Sequence, residues 1–256
     1  MLQQTQVDRV IPKYMAFLKR FPTLDALARA PRSEVIREWS GLGYNRRAIY
    51  LHRAAQEIVT DHKGVIPRNE AQLRKLPGIG VYTARAILSF AFRKRVAAVD
   101  TNQRRVVGRY FAGALARETD VEKTSHELLP KSRSDAWNHA LMDFGALVCR
   151  SAPRCERCPL RPSCAAYPMV LHRPKRKERE SERFFGSNRF LRGRIIEGLR
   201  AARSDGFLSY DSLTKELFAL PGLRRQRIDR VIHDLENEGF LERKTRGRRT
   251  QFRLVA

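Results

Sequence analysis

Apolar positions recur at helical spacing through the first 145 residues: Val7, Val10, Ile11, Tyr14 and Leu18 share one predicted helical face, and Ile49, Ala54 and Ile58 share another less cleanly. Strand-like alternation is nearly absent there. The short breakers Phe21-Pro22, Ala30-Pro31, Gly41-Leu42-Gly43 and Leu76-Pro77-Gly78 divide the helices, which predicts a compact all-α bundle with brief connections. The pattern lapses at His172–Arg194, HRPKRKERESERFFGSNRFLRGR, a charge-dense stretch with little apolar periodicity that predicts a solvated linker. Helical spacing returns over Phe190–Ala202, Tyr210–Phe218 and Arg224–Glu238, the last with Ile228, Val231, Ile232 and Leu235 in register. Phe240–Lys244 and Gln251–Val255 then read as two short strands joined by Thr245-Arg246-Gly247-Arg248-Arg249. The order helix, helix, helix, hairpin predicts a small α+β winged helix-turn-helix behind a mainly α body.

Composition narrows the partner. With 256 residues and 42% hydrophobic content the chain can bury one sizeable core or two modest ones. Lys and Arg total 51 against 27 Asp and Glu, a formal charge of +24, which favours a polyanion. Nucleic acid ranks above an anionic membrane surface, because no run approaches the ~18 apolar residues of a spanning helix and the N-terminus lacks a signal-peptide pattern. The expected setting is soluble and cytoplasmic, associated with the nucleoid in a prokaryote. All four cysteines, Cys149, Cys155, Cys158 and Cys164, fall within sixteen residues, a clustering that suggests a metal site rather than a disulfide framework.

Two motifs carry candidate chemistry. Leu76-Pro77-Gly78-Ile79-Gly80-Val81-Tyr82-Thr83-Ala84 puts two glycines in a tight turn between predicted helices at Ala71–Lys75 and Val81–Phe92. Glycine lets the backbone approach a ligand closely, and N–H groups at the start of the second helix can hold a phosphate without any side chain; a plain interhelical turn is the alternative. Val96-Ala97-Ala98-Val99-Asp100-Thr101-Asn102 places a carboxylate where an apolar run ends and a predicted helix, Thr101–Tyr110, begins. The simplest reading of Asp100 is an N-cap.

These stretches, together with Gly41-Leu42-Gly43-Tyr44, Leu141-Met142-Asp143-Phe144-Gly145 and the cysteine cluster, resemble the helix-hairpin-helix DNA glycosylase superfamily in order and register over residues 1 to about 168. Met1-Leu2-Gln3-Gln4-Thr5-Gln6-Val7 is similar to its adenine glycosylase (MutY-like) branch in particular. The resemblance implies a helical glycosylase domain over 1–148 with the helix-hairpin-helix at about 71–92, an iron–sulfur loop over 149–168, a basic linker over 169–189 and the winged-helix module over 190–256. It implies hydrolysis of the N-glycosidic bond of a mispaired base in duplex DNA, most directly adenine opposite guanine or 8-oxoguanine, by a monomer acting on a mismatch or damaged base. Thymine or uracil opposite guanine is a second substrate reading, and a non-catalytic DNA-binding protein is a rival from another class.

Site residues follow from the same resemblance. Asp100 would stabilise positive charge building on C1′ as the base departs. Gln3, Gln4 and Tyr44 would lie against the lesion, Gln4 filling the gap left by the flipped base and Tyr44 wedging beside the opposing one; a solvated helix start and a half-buried core aromatic are the plainer readings. Tyr82 stands where strand-cleaving relatives such as endonuclease III carry a lysine, and a phenol cannot form a Schiff base, which implies a monofunctional enzyme. Packing of the second hairpin helix is its alternative role. Gly78, Gly80 and Val81 would grip a phosphate. Cys149-x5-Cys155-x2-Cys158-x5-Cys164 fits one [4Fe–4S] cluster rather than the paired repeats of zinc ribbons, although its first gap is one residue shorter than the family's usual six. Structural zinc or an empty site is the alternative. Arg150, Arg154, Arg157 and Arg161 between these ligands would make a phosphate-docking loop.

Two departures qualify the likeness. The branch's general-acid glutamate falls two residues before the methionine that matches Met1, so the expectation is a start placed too far downstream, against the rival of a chain that lacks the acid; Glu34 and Glu38 are substitutes by residue type alone. The branch's appended nucleotide-hydrolase-like domain is replaced here by the predicted winged helix. On it Arg224, Arg225, Arg227 and Arg230 of the third helix and Arg246, Arg248 and Arg249 of the hairpin would contact DNA, with Arg225 and Arg248 the leading candidates, and protein docking the alternative.

Overall fold

A computed structural model describes residues 1–3, 5–113, 117–171, 186–202, 206–219, 223–247 and 249–256. The chain forms two compact units, one comprising Met1–Ile66 with Arg179–Ala256 and the other Pro67–Glu178.

The first unit begins with α1 (Val7–Arg20), α2 (Leu24–Arg29), α3 (Arg32–Glu38) and α4 (Arg46–Asp61). Thr23 caps α2 by accepting from the Ala26 amide, while Pro31 sets the start of α3. Their core joins Val10, Phe17, Phe21, Leu27, Val35, Trp39 and Leu42. The apolar face expected of α1 divides: Val10 and Phe17 are buried, whereas Val7, Ile11, Tyr14 and Leu18 are exposed. At 100° per residue those four centre about 80° around the helix from Val10 and Phe17, so one side of the stripe points to the core and the other to solvent.

The C-terminal module of the same unit contains α10 (Asn188–Ala201), β1 (Leu208–Ser209), α11 (Tyr210–Phe218), α12 (Arg225–Asn237), β2 (Leu241–Arg246) and β3 (Arg249–Leu254). The three strands form an antiparallel sheet in the order β1-β3-β2, with Arg243 opposite Phe252 and Arg246 opposite Arg249 at the turn. Leu191, Ile195, Ile196, Leu199, Ile228, Ile232, Leu235, Phe240 and Phe252 fill its core. Three helices and a hairpin give the winged-helix order expected, with strands that extend to the turn rather than stopping at Lys244. The helix expected at Phe190–Ala202 is present as α10 and starts two residues earlier, so Arg189, read as the end of the linker, lies on it, behind a Ser187 cap whose hydroxyl accepts from the Phe190 amide. Of the expected linker, residues 172–185 lie outside the described residues.

Residues 1–148, expected as a single helical domain, divide between the two units. Ile36 and Ile49 sit in the same apolar cluster as Leu191, Ile195 and Phe240, which joins the first helices to the C-terminal module.

The second unit holds α5 (Glu70–Leu73), α6 (Val81–Ala86), α7 (Thr101–Val107), α8 (Glu118–Glu127) and α9 (Ser134–Leu147). Ala97, Val99, Val107, Val121 and Leu129 form its core, with Trp137 and Leu141 packed against them. The helices expected at Val81–Phe92 and Thr101–Tyr110 change hydrogen-bond pattern midway: each gives way to a wide π turn, Ile87–Ala91 after α6 and Gly108–Ala112 after α7. Among the described residues no helix is long and apolar enough to cross a membrane.

Candidate nucleic-acid interface and cysteine centre

The glycine turn lies between α5 and α6. Asn69 caps α5 by accepting from the Ala71 and Gln72 amides. Gly78 has φ +74°, which a side chain rarely permits, and Gly80 is extended and serves as the N-cap of α6. A Cβ built on Gly80 would meet nothing within 4 Å, so internal packing does not explain this glycine. The amides of Val81 and Tyr82 precede the first intrahelical bond, Ala84 N–H to Gly80 O at 2.9 Å. The turn presents bare backbone at a helix start, an arrangement suited to an anion.

Asp100 ends the buried run Ala97-Ala98-Val99 and caps α7, its Oδ1 accepting from the Gln103 amide at 2.7 Å and its Oδ2 from Asn102 Nδ2 at 3.0 Å. The N-cap reading is therefore correct as far as it goes. Burial, and then the charge of Asp100, push the Tyr82 phenol above its ordinary pKa, so the hairpin helix and the aspartate lie within each other's field. Sequence reasoning missed the residues behind Asp100. Asn138, on α9, accepts from the Ala98 amide at 3.2 Å and from Gln103 Nε2 at 2.9 Å, and donates to Ser89 Oγ and Val96 O, both at 2.9 Å. Gly145 is required by close approach: a Cβ there would lie 2.6 Å from Asn102 Cβ. Arg105 donates to Asn102 Oδ1 at 2.7 Å and to Gly145 O at 2.6 Å. Gly145 closes the Leu141–Gly145 stretch already singled out, and Asn138, three residues before that stretch, was the further signal available.

Tyr44 and the N-terminal residues belong to the other unit. Tyr44 is 46% exposed and has φ +45°, so it is neither a core aromatic nor relaxed. Gln3 is exposed, and Gln4 lies outside the described residues. Glu34 is engaged by Arg20, and Glu38 closes α3. Arg225 opens α12 with its guanidinium 4.8 Å from the Tyr210 ring centre. It lines a groove of about 920 Å³ between α12 and the hairpin, shared with Arg230, Arg243 and Arg249. Arg248 lies outside the described residues.

The four cysteines line one small cavity with Arg109, Val148, Pro153 and Tyr167. Short 3₁₀ turns at Cys155–Arg157 and Arg161–Ser163 deliver Cys158 and Cys164. Arg109 closes the loop, donating to Arg150 O at 2.6 Å, to Ser151 O at 3.1 Å and to Cys149 Sγ at 3.6 Å. Burial, and then the neighbouring Cys158, Cys149 and Cys164, raise the Cys155 thiol's pKa. Among the described residues no three such groups are drawn together tightly enough to hold one metal ion. Four thiols lining one cavity are the donor type that an iron–sulfur cluster takes, one thiolate per iron.

Comparison with known proteins places this arrangement in a family. The model described as HhH-GPD superfamily base excision DNA repair protein matches residues 1–131. The chain belongs to the HhH-GPD superfamily of base excision DNA repair proteins. It is 38% identical over 255 residues to an adenine DNA glycosylase of Mycolicibacterium smegmatis, covering 97% of this chain and 83% of that one. It is 42% identical over 171 residues to an adenine DNA glycosylase of Buchnera aphidicola, covering 65% of this chain but only 49% of that relative, about half its length. Among solved structures, a thermostable thymine-DNA glycosylase aligns at TM-score 0.61 and 32% identity over 65% of this chain and 79% of its own. A non-covalent endonuclease III–DNA complex aligns at 0.58 and 28% over 64% and 78%.

Proposed function

We propose that this chain releases adenine mispaired with guanine or 8-oxoguanine from duplex DNA by hydrolysing its N-glycosidic bond, and leaves the strand uncut. One observation carries the reading: Asp100 sits at the mouth of α7 with the hairpin residue Tyr82 in its field. As the bond from C1′ to the base breaks, positive charge grows on the sugar, and the Asp100 carboxylate stabilises it. Water then supplies the oxygen that joins C1′, and its proton ends on the departed base. Tyr82 flanks this site with a phenol, which has no amine to attack the sugar. The glycosylase names of the relatives and the +24 charge support the reading.

The remaining roles belong to the same proposal. Gly78, Gly80 and Val81 hold a phosphate of the lesion strand through backbone N–H groups. Gln3 lies against the lesion, Gln4 fills the gap left by the extruded adenine, and Tyr44 wedges beside the opposing base, which offsets unstacking. Arg225 and Arg248 contact phosphates from the C-terminal module. Cys149, Cys155, Cys158 and Cys164 would hold a [4Fe–4S] cluster, which when bound braces the loop and does no chemistry on the substrate. The arginines between them face the DNA backbone. The chain acts as a monomer in the compartment that holds the DNA, the cytoplasm or nucleoid.

A single-turnover assay on a panel of duplexes tests this. Wild-type protein is expected to release adenine opposite guanine and 8-oxoguanine, with strand breaks appearing only after alkali. Asp100→Asn is expected to bind the same duplex while releasing the base at least about 10²-fold more slowly. Equal rates in the two proteins would remove Asp100 from catalysis. Release of thymine or uracil opposite guanine, with adenine untouched, would move the substrate to that of the thymine-DNA glycosylase neighbour.

A further inference from the structure

Tyr44, Asn45 and Arg46, where the loop runs into α4, are each bonded to a different part of the C-terminal module. Tyr44 Oη accepts from Arg189 Nη1 at 3.2 Å, and the Arg189 guanidinium lies 5.9 Å from the tyrosine ring centre. Asn45 Oδ1 accepts from Arg200 Nη2 at 2.9 Å. Arg46 Nε donates to Glu238 Oε2 at 3.1 Å. Arg189 and Arg200 stand three turns apart on α10, and Glu238 caps α12.

The strength of these ties differs. The Arg200 side chain is 8% exposed and also donates to Ile36 O at 2.9 Å, so it is an anchor. Glu238 is shared between Arg46 and Arg192. Arg189, at the solvent edge, touches the tyrosine itself. The loop needs such support, because Gly41, Gly43 and Tyr44 have φ of +82°, +67° and +45°, and a tyrosine keeps that conformation only where its surroundings hold it. Arg47 supplies the local part of the hold, donating to Met1 O at 2.8 Å, Leu42 O at 3.0 Å and Gly43 O at 3.3 Å, with its guanidinium 5.7 Å from the Tyr44 ring centre.

We propose that the C-terminal module is the positioning element for Tyr44, and that Arg189 on the phenol sets how sharply the protein discriminates the base opposite the lesion. This deepens the reading of Tyr44 as the wedge and rests on it. An inserted ring discriminates by where it lies relative to the opposing base; a guanidinium on its hydroxyl and face fixes that place without touching either base. Arg189 is a positioning residue, and the opposing base is the ligand feature it tunes.

The test uses the full chain and reads one ratio, the single-turnover rate for adenine opposite guanine divided by that for adenine opposite cytosine. Arg189→Ala is expected to lower the ratio about fivefold while the rate on the better duplex changes less than about twofold. Arg189→Lys restores part of the ratio, because an ammonium can donate to the phenol but lacks the planar fork. Tyr44→Phe, which removes the acceptor, lowers the ratio similarly, and the double variant is no worse than the single ones. Glu242→Gln, which breaks the hairpin ion pair with Arg253, leaves the ratio unchanged. An unchanged ratio in Arg189→Ala, or additive losses in the double variant, overturns the inference. Should the wild type release no base from any duplex, the enzymatic reading fails by itself. The ratio of dissociation constants for mismatched and matched duplexes, in the same variants, then decides the positioning role.

Discussion

Asp100 and Tyr44 are held in opposite ways. Both oxygens of Asp100 are engaged by residues two and three positions further along the same helix. Tyr44 is steadied by Arg47 close by and by Arg189, 145 positions away in sequence. On the proposed reading, the group that meets developing charge is built into local geometry, which forms with its helix, and the group aimed at the opposing base is tied to the C-terminal module.

That contrast breaks if the Asp100 site proves as dependent on remote props as Tyr44 is. The largest effect after loss of the carboxylate itself is expected from Asn138→Ala. Asn138 is 1% exposed, and its removal takes from the buried Ala98 amide its side-chain acceptor and leaves Gln103 Nε2 only the Asn138 main-chain oxygen at 3.1 Å. A cost of about 3 kcal/mol is expected in a denaturant melt, with base release falling in step. A destabilised protein that keeps the wild-type single-turnover rate would show that the cap alone places Asp100. Gly145→Ala comes next: its methyl would press on Asn102, at a cost of about 2 kcal/mol and a slower release step, because the displaced residue is one that bonds Asp100. An unchanged rate would detach Gly145 from the site.

The smallest effect sharpens the other side. Burial alone would raise the Glu238 carboxyl's pKa, but hydrogen bonds from Arg46 and Arg192 outweigh it and hold the group below the usual carboxylate range. A depressed folded-state pKa adds stability that is fully present above the unfolded value, about 4.3, and is lost as pH falls through the folded one. Glu238→Gln is therefore expected to lower stability at neutral pH by less than about 1 kcal/mol and to flatten the acid limb of the melt. An identical acid limb in both proteins would show that the pair adds nothing.

Sequence made the Asp100 side of the contrast readable and hid the Tyr44 side, for the same physical reason. An apolar run ending in Asp-Thr-Asn, two glycines before a helix and four clustered cysteines are short-range signals; the helices that the first two predict are present, and the four cysteines line one cavity. The span Tyr210–Phe218 is the helix observed, because turn residues and apolar spacing bound it locally. Arg189 reads as part of a solvated charge run, since a sequence does not say which arginine has a partner 145 residues away. Ile49 reads as one position of a helical face in a single bundle, and nothing in its spacing, or in that of Ile36, reveals that both share a cluster with Leu191 and Phe240. The π turns were hidden as well, because a change of hydrogen-bond period leaves no residue-type mark on Ile87–Ala91 or Gly108–Ala112.

The shared cluster around Ile36 and Ile49 limits how this molecule can be dissected. The two side chains are 0% and 2% exposed within a cluster built mostly from the C-terminal module. Trimming the chain to residues 1–131, which the family model matches, would uncover apolar sockets on α3 and α4 and leave Arg37 and Arg46 without the acceptors they use in the C-terminal module. A shortened polypeptide is therefore expected to aggregate, because the C-terminal module covers apolar surface that the first four helices would otherwise expose.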